Sequence, residues 1–444
     1  VTAVTRRTLL VNWTVEPARH LSGDIVVPGD KSISHRAVLL ASVADGESVI
    51  DGLADGQDLA SSIEAIRVLG AEVDKEGADI RIRGCGLEGL RPANQTINCG
   101  NSGTTMRLLA GLLAGQHFTS TLTGDASLCS RPMRRVAEPL HAMGASVRTS
   151  RDGTPPLEIA GPGCLRAITF RPEVASAQVK SCVLLAGLYA DGPTTVVEGC
   201  RTRDHSERLL VAMGADVSIL TEGSGGRVTI QQGGPLGTIS GRIPGDISSA
   251  AYWLVGATLL EGSRLRLPGV GMNPTRAAIV DLLVDWGADI QIEPTEEWCG
   301  EPVADLMVRG VGPVLAGGVI DADMVPGLID ELPLIAALGA MTLDGVEING
   351  ASELRVKESD RIATTAAALR SLGVVVDEYP EGLAVAGGQV LNSGTINAAG
   401  DHRIALAMAA VGLTAHGLVT IENAEAMAVS YPGFATVLES VAQR

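Results

Sequence analysis

Aromatic residues and lysine are scarce in this sequence. Phe, Trp and Tyr together make up 2% of the 444 residues, so aliphatic side chains must build the cores. The formal net charge is −17, and only four of the 34 basic residues are lysine. Because nucleic-acid binding needs a basic surface and aromatic side chains that stack on bases, we expect no nucleic-acid partner.

Paired cysteines and long apolar runs are also missing. The seven cysteines are dispersed, without a CxxC pair or a Cys/His cluster at zinc spacing, which is typical of reduced thiols. The most apolar stretch, residues 404–421, is interrupted by Thr414, His416 and Gly417. It therefore predicts a buried helix and strand rather than a membrane span. With no signal-peptide pattern visible, we expect a cytoplasmic protein.

The chain contains internal repeats. An apolar-periodic segment that ends in a hydrophobic residue and glycine, followed by alternating apolar residues, predicts a helix closed by glycine and then a β-hairpin. The five such glycines are Gly70, Gly144, Gly214, Gly287 and Gly373. A second unit of strand, polar turn, Ala/Leu-rich helix, glycine and strand recurs at a spacing of roughly 70 residues. Its six copies begin at Ile25, Ile97, Ile168, Ile243, Ile320 and Ile396.

The repeats fall into two halves. The segment Pro28-Gly29-Asp30 returns 216 residues later as Pro244-Gly245-Asp246. A chain of 444 residues with 45% apolar composition is also too long for one ordinary core. We therefore predict an α/β (α+β) protein of two lobes with three units each and a boundary near Ser240.

Polar and basic residues concentrate at the strand-to-helix turns of these units. A non-catalytic repeat scaffold that binds proteins would spread its variable polar residues over one face, so this placement favours a site. Helix N-termini attract anions, and we expect the basic residues nearby to bind two multiply charged anions. These residues are Lys31, Arg36, Arg107, Arg131, Lys180, Arg203, Lys357, Arg361 and Arg403.

Each turn, taken alone, also has an ordinary structural explanation. Ser32 or Ser34 is expected to cap the first helix as well as to meet a phosphate. Asp330 is either a helix N-cap or a base toward a substrate hydroxyl. Lys357 and Glu358 lie in a charged run that is either a salt-bridged helix surface or part of a site.

Together the segments resemble the motifs of the 5-enolpyruvylshikimate-3-phosphate synthase family. In chain order they are PGDKSISHR, CGNSGTTMR, SRPM, ASAQVKS, IDELP, LRVKESDR and DHR. The resemblance implies an enolpyruvyl transferase-like fold of two lobes, each with three βαβαββ-type units, and an active site in the interdomain cleft. It further implies an N-terminal lobe of residues 23–239 and a C-terminal lobe of residues 1–22 and 240–444.

The resemblance also implies an activity and a set of site residues. The family transfers the enolpyruvyl group of phosphoenolpyruvate to the 5-hydroxyl of shikimate 3-phosphate, on the way to chorismate, and uses no metal or organic cofactor. By this resemblance Asp330 accepts the hydroxyl proton, Glu358 protonates the methylene carbon, and Lys31 is the third catalytic residue. The residues implied for shikimate 3-phosphate are Lys31, Ser32, Arg36, Ser176, Ala177, Gln178, Arg203, Asp330 and Lys357. Those implied for phosphoenolpyruvate are Lys31, Gly103, Arg131, Gln178, Arg361 and Arg403. We expect these two small molecules to be the partners of the chain, and we expect the chain to be a monomer.

Three positions bear on how closely this chain follows the family. Ala177 and Val429 stand where many relatives have serine and lysine, respectively. Gly103 leaves room where an alanine in some relatives would crowd the inhibitor glyphosate. We therefore expect glyphosate to bind and the Gly103→Ala variant to escape it.

Three alternatives remain open. UDP-N-acetylglucosamine enolpyruvyl transferase carries a reactive cysteine five residues before the arginine of the Arg-Pro motif. Here Ala126 occupies that position, and Cys129 is too close to Arg131. RNA 3′-phosphate cyclase shares the repeat unit, but the acidic, aromatic-poor composition opposes it. A non-catalytic repeat scaffold is the alternative from another class.

Overall fold

The computed structural model describes residues 12–77 and 79–444 of the chain. Its helices are α1 (Lys31–Ala41), α2 (Gln57–Val68), α3 (Gly103–Ala114), α4 (Arg134–Ala142), α5 (Ala177–Gly187), α6 (His205–Ala212), α7 (Ile247–Leu259), α8 (Ala278–Asp285), α9 (Val325–Leu328), α10 (Leu332–Gly339), α11 (Arg361–Ser371), α12 (His402–Gly412) and α13 (Phe434–Val441). Turns of 3-10 helix lie at Leu128–Ser130, Ser352–Val356 and Ala424–Val429. Within the described ranges, no helix has the length and apolar character needed to cross a bilayer.

The strands are short and connect these helices. They are β1 (Trp13–Val15), β2 (His20–Asp24), β3 (Glu47–Asp51), β4 (Glu72–Glu76), β5 (Asp79–Arg83), β6 (Ile97–Asn98), β7 (Thr119–Thr123), β8 (Ser146–Arg148), β9 (Leu157–Ala160), β10 (Thr169–Phe170), β11 (Thr194–Glu198), β12 (Val217–Glu222), β13 (Gly225–Ile230), β14 (Ser240–Arg242), β15 (Arg264–Gly271), β16 (Asp289–Trp298), β17 (Glu301–Arg309), β18 (Gly318–Ile320), β19 (Val346–Ile348), β20 (Val376–Tyr379), β21 (Gly382–Val385), β22 (Asn392–Asn397), β23 (His416–Glu422) and β24 (Ala442–Gln443).

Helix α3 shows why the Ala/Leu-rich segments fold as buried helices. Its N-cap is Ser102, whose Oγ accepts a hydrogen bond of 3.1 Å from the backbone N–H of Thr105. The helix then runs through leucine and alanine, which are strong helix formers. At Gly111 an added Cβ would lie 2.3 Å from the carbonyl oxygen of Cys182 in α5. Because Gly111 has no side chain, the backbones of α3 and α5 can approach each other closely at this point.

The five predicted glycine-closed helices are each followed by a hairpin. The antiparallel pairs are β4–β5, β8–β9, β12–β13, β16–β17 and β20–β21. The closing glycines have positive φ, for example 105° at Gly70 and 82° at Gly373, a region that glycine adopts without strain. The predicted hairpins are therefore present.

Each repeat unit builds one sheet, and in five of the six sheets a parallel pair is followed by the hairpin. Three sheets have the orders β6-β7-β9-β8, β10-β11-β13-β12 and β18-β19-β21-β20. Two others are completed by a strand from a distant part of the chain, because β14 pairs in parallel with β3 and β2 pairs in parallel with β15. In the last sheet, β1 pairs antiparallel with β23. Strands β2 and β14 have thus exchanged places between the two halves of the chain.

Two predicted unit starts are displaced by this exchange. Strand β2 ends at Asp24 and strand β14 ends at Arg242, so each stops just before the predicted starts at Ile25 and Ile243. Each displaced strand leads directly into a Pro-Gly-Asp turn. The physical reason is that the chain leaves one half of the molecule for the other at these turns.

Buried apolar residues form two separate cores. One core contains residues from Ile33 to Ile243, together with Trp298. The other contains residues 15–27 and residues 247–441. We retain the predicted lobes, of residues 23–239 and of residues 1–22 with 240–444, as a proposal. The cores place both boundaries a few residues later, because Ile25 and Val27 pack with the second lobe and Ile243 packs with the first. Residues 1–11 of that assignment lie outside the described residues.

The two Pro-Gly-Asp turns pair with each other where the chain crosses between the cores. The backbone N–H of Asp30 donates to the carbonyl of Pro244, and that of Asp246 donates to the carbonyl of Pro28, both at 2.8 Å. The buried guanidinium of Arg276 lies between them, 3.2 Å from the carboxylate of Asp30 and 3.4 Å from that of Asp246. The two copies of the repeated Pro-Gly-Asp segment therefore contact each other and join the two halves of the molecule.

A third connection is the β16–β17 hairpin. Its Trp298 leaves the core of its own half, packs into the opposite core, and donates from Nε1 to the carbonyl of Ser240 at 3.0 Å. Beside it, the buried carboxylate of Glu301 lies 2.7 Å from Nδ1 of His205 in α6. The hairpin thus anchors one lobe to the other next to the crossing.

Replacement of Arg276 by methionine is expected to destabilise the protein by about 3–5 kcal/mol, because the buried carboxylates of Asp30, Asp246 and Glu331 lose their common cation. Urea unfolding followed by circular dichroism at pH 7 measures the loss. The control is Arg309→Met, whose guanidinium forms an exposed ion pair and is expected to change stability by about 0.5 kcal/mol or less. A loss no larger than the control's would contradict this account of the crossing.

Candidate active site

Six helices begin at the boundary between the two cores. Two adjoining cavities of about 410 Å³ and about 130 Å³ lie there. Residues at or next to the starts of α1, α3, α5, α7, α10 and α12 line them, and these are Lys31, Ser32, Gly103, Thr104, Ser176, Ala177, Asp246, Asp330, His402 and Arg403. The helix N-termini therefore face shared space, where their partial positive charge favours anions.

The cap of α1 differs from the sequence prediction. The prediction that Ser32 or Ser34 caps this helix is wrong, because α1 begins at Lys31 and places Asp30 at the N-cap position. Asp30 Oδ1 accepts a hydrogen bond of 2.8 Å from the backbone N–H of Ile33. Ser34 instead donates to the carbonyl of Asp30 at 2.7 Å. Ser32 is left to line the larger cavity.

Asp330 in the larger cavity is held by arginines from both lobes. Arg203 donates to Oδ2, Nη2 of Arg403 lies 3.1 Å from the same oxygen, and Nη1 of Arg361 lies 3.4 Å from Oδ1. Burial opposes ionisation, but the positive charges of Arg203 and Arg403, with Lys357 and Arg361, hold the pKa of Asp330 well below its usual range. Asp330 is therefore ionised and shields these cations from one another.

Glu358 has a similar environment beside the smaller cavity. Its Oε2 accepts from Nη2 of Arg361 at 2.6 Å, and its Oε1 lies 4.0 Å from Nη1 of Arg131. Although burial opposes ionisation, Arg361 and its basic neighbours hold the pKa of Glu358 well below its usual range. The two candidate catalytic carboxylates thus share Arg361 as a partner.

The smaller cavity gathers side chains from the second and third turns. Nη1 of Arg107 donates to Oε1 of Gln178 at 2.5 Å, and Nε2 of Gln178 donates to Oγ1 of Thr104 at 2.9 Å. Burial, reinforced by repulsion from Arg131, lowers the pKa of Arg107 to about 10. An added Cβ at Gly103 would lie 2.6 Å from Nη1 of Arg107. A side chain at this position would therefore have to displace the end of the Arg107 side chain.

Two lysines flank both cavities. Lys31 lies 2.5 Å from a carboxylate oxygen of Asp58. Burial lowers the pKa of Lys357, and the negative charge of Asp330 compensates for this only in part. A bound anion would add to that compensation.

Two of the nine predicted basic residues line neither cavity. The prediction that Lys180 binds an anion is wrong, because Glu198 and Glu207 neutralise it inside the core at 2.9 Å and 2.7 Å. Arg36 is buried outside both cavities, and its Nε donates to Oγ of Ser206 at 2.7 Å. Its assignment to shikimate 3-phosphate stays a prediction.

The structure adds cavity-lining residues that the motifs did not indicate. Asp58, Arg135 and Glu353 line the smaller cavity, but none lies at a predicted strand-to-helix turn. Arg135 was visible in the sequence only as a second arginine after the Arg-Pro motif. Asp58 and Glu353 carry no sequence signal that distinguishes them from surface carboxylates.

Of three sequence positions that bear on the alternatives, only one lines a cavity. Ala177 lines the larger cavity, whereas Val429 lines neither. Sγ of Cys129 points to the carbonyl of Gly124 at 3.4 Å, and Cys129 also lies outside both cavities. Among the described residues, His, Cys, Asp and Glu form no cluster able to hold a metal ion.

The sequence as a whole matches a known family. A profile described as EPSP synthase (3-phosphoshikimate 1-carboxyvinyltransferase) matches residues 15–438. The chain belongs to the EPSP synthase family. It is 48% identical over 435 residues to the 3-phosphoshikimate 1-carboxyvinyltransferase of Gloeobacter violaceus, covering 97% of this chain and 99% of the relative. It is 46% identical over 424 residues to that of Xanthomonas campestris pv. campestris strain B100, covering 95% of both chains. The resemblance drawn from the motifs is thereby confirmed.

Two solved structures have the same fold as this chain. The structure matches EPSP synthase from Acinetobacter baumannii with a TM-score of 0.86 and 39% identity, over 97% of this chain and 98% of that chain. It also matches the enolpyruvyl transferase NikO from Streptomyces tendae, with a TM-score of 0.77 over 96% of both chains, at 18% identity. The expected two-lobe enolpyruvyl transferase fold is thus confirmed.

The Gly103→Ala variant is expected to displace Arg107 and to raise the KM for phosphoenolpyruvate about tenfold or more, because the new methyl group would overlap the guanidinium. Steady-state kinetics of the family's reaction measure this. The same variant is expected to lose inhibition by glyphosate, which is expected to inhibit the unmutated protein. An unchanged KM in the variant would contradict the expected displacement of Arg107. An unmutated protein that is insensitive to glyphosate would contradict the expected inhibition.

Proposed function

We propose that this chain transfers the enolpyruvyl group of phosphoenolpyruvate to the 5-hydroxyl of shikimate 3-phosphate and releases phosphate, a step of the shikimate pathway. Membership of the EPSP synthase family supports this proposal. The observation that carries it is the presence of Lys31, Asp330 and Glu358 on the wall of one cavity of about 410 Å³. The cavity thereby combines a cation, a candidate base and a candidate acid.

The two substrates are assigned to the two ends of the joined cavities. Shikimate 3-phosphate takes the larger cavity, where Ser32, Ser176 and Arg203 face its phosphate and Asp330 faces its 5-hydroxyl. Phosphoenolpyruvate lies toward Arg131 at the smaller cavity. Each substrate brings several negative charges, which replace the internal carboxylates as partners of the arginines.

This replacement prepares the carboxylates for acid–base work. While arginines surround them, the pKa values of Asp330 and Glu358 stay well below their usual range, which makes both carboxylates weak bases. When a phosphate takes over Arg203, Asp330 loses a stabilising cation and its pKa rises, which makes it a better base. Negative charge from phosphoenolpyruvate likewise raises the pKa of Glu358 and allows it to hold a proton.

The reaction then consists of an addition and an elimination. In the addition, the 5-hydroxyl oxygen bonds to C2 of phosphoenolpyruvate, Asp330 takes the hydroxyl proton, and Glu358 gives its proton to C3, which becomes a methyl group. In the elimination, the C2–O bond to phosphate breaks and Glu358 takes a proton back from the methyl group, which restores the vinyl group. Lys31 stabilises the phosphate as negative charge collects on it. The released phosphate gains the proton that the hydroxyl gave to Asp330, directly or through solvent, and Asp330 is ionised again.

Location and assembly are also part of the proposal. We infer a cytoplasmic protein that acts as a monomer. Gel filtration with light scattering tests the assembly. A stable dimer whose dissociation abolishes activity would overturn the inferred monomer.

The activity is tested by phosphate release from phosphoenolpyruvate with shikimate 3-phosphate, run beside UDP-N-acetylglucosamine as the alternative acceptor. Release is expected only with shikimate 3-phosphate. The Asp330→Asn and Glu358→Gln variants keep the side-chain shapes but remove the proton acceptor and donor. Each is expected to lower kcat by about 100-fold or more, while circular dichroism shows a folded protein.

Other outcomes have distinct meanings. Release only with UDP-N-acetylglucosamine would show that the acceptor is wrong, and release with neither acceptor would favour the scaffold alternative. Full activity in both variants would show that the transfer occurs but that the residue roles are wrong.

A further inference from the structure

An ion pair joins the two lobes at the edge of the smaller cavity. Arg135 in the first turn of α4 donates from Nη1 and Nη2 to the two carboxylate oxygens of Glu353, at 3.0 Å and 2.8 Å. The partners are 218 residues apart in sequence, and their elements pack in different cores. The pair is therefore bidentate and connects the lobes directly.

The pair lies beside two residues of the proposed site. Arg131 precedes Arg135 by four residues and lies just before α4, and Glu358 follows Glu353 by five residues along the same segment. Across the cleft, Nη1 of Arg131 and Oε1 of Glu358 face each other at 4.0 Å. Holding Arg135 to Glu353 therefore also fixes the distance between Arg131 and Glu358.

The geometry favours contact of the two partners with each other. Each terminal nitrogen of Arg135 donates to one oxygen of Glu353, so both oxygens of this carboxylate have a charged partner. A substrate phosphate that drew Arg135 away would leave Glu353 without that partner next to an anion. The ion pair between Arg135 and Glu353 thus neutralises both charges at the edge of the smaller cavity.

We propose that Arg135 and Glu353 are positioning residues that hold the lobes closed and keep Glu358 opposite Arg131 across the smaller cavity. The inference rests on the function proposed above for its kinetic consequences. Loss of the pair lowers the fraction of molecules that are closed before substrate arrives. A smaller binding-competent fraction raises the apparent KM for phosphoenolpyruvate, whereas saturating substrate still closes the lobes and preserves most of kcat.

A charge-swap experiment separates this role from others. The variants are Arg135→Glu, Glu353→Arg and the double variant, with KM for each substrate and kcat measured for each. Either single reversal places like charges face to face and is expected to raise the KM for phosphoenolpyruvate about tenfold. The double variant restores opposite charges and is expected to return this KM to within about threefold of the unmutated value.

The matched control is the Arg148–Glu158 ion pair. It has a distance of 3.0 Å and joins β8 to β9 within one lobe, with both side chains exposed. Arg148→Glu is expected to leave both kinetic constants unchanged. Milder Arg135→Gln and Glu353→Gln variants, expected to raise the KM about fivefold, keep the test valid if a reversal variant fails to fold.

A measurement without substrate distinguishes failure of this inference from failure of the proposed function. Small-angle X-ray scattering of the ligand-free protein is expected to give a larger radius of gyration for Arg135→Glu than for the unmutated chain, with the double variant in between or restored. If the unmutated chain releases no phosphate, the proposed function fails and the scattering alone decides the inference. A double variant as impaired as the worse single one, unchanged kinetics in both single variants, or unchanged scattering would each overturn it.

Discussion

The carboxylate of Asp330 lies between guanidinium groups that come from both lobes, and the site depends on this arrangement. Arg203 belongs to one lobe, whereas Arg361 and Arg403 belong to the other. Without an anion between them, these buried cations would repel one another and favour an open cleft. The same carboxylate is the candidate base, so the group that holds the arginines of both lobes together is also the group that a substrate anion would displace from them. In the proposed reaction, one exchange of ion pairs would therefore link substrate binding to activation of the base.

The connections between the lobes divide into two kinds. At the crossing, Asp30, Asp246 and Arg276 form a fully buried cluster, supported by reciprocal backbone hydrogen bonds. At the opposite edge of the site, Arg135 and Glu353 form a pair whose side chains remain 38% and 31% exposed. A buried cluster is costly to break, while a half-exposed pair is worth little and separates easily. The molecule is thus suited to pivot at the crossing and to open at the smaller cavity.

Much of the site could be predicted because its chemistry lies in short motifs at equivalent points of a repeat. Lys31, Asp330 and Glu358 were identified from their turns, and the structure brings all three to one cavity. Lys180 was misassigned since a motif shows that a cation is present but not that Glu198 and Glu207 neutralise it. Arg135 and Glu353 were missed because each became informative only when the fold brought together two segments distant in sequence.

The fold was predictable to a similar extent and for similar reasons. Periodicity and glycines indicated the helices and hairpins of each unit. They did not indicate that β2 and β14 exchange between the halves, because a strand pattern carries no information about its pairing partner. The exchange depends on Pro28-Gly29-Asp30 and Pro244-Gly245-Asp246, whose repetition was visible but whose mutual contact was not.

In the proposed reaction, Glu358 gives a proton to C3 of phosphoenolpyruvate and then takes one back. The direct measurement is mass spectrometry of the enolpyruvyl product formed in D2O. A transient methyl group predicts deuterium in the vinyl group of the product, together with loss of turnover and of exchange in Glu358→Gln. A product formed in D2O with an unlabelled vinyl group would contradict the account.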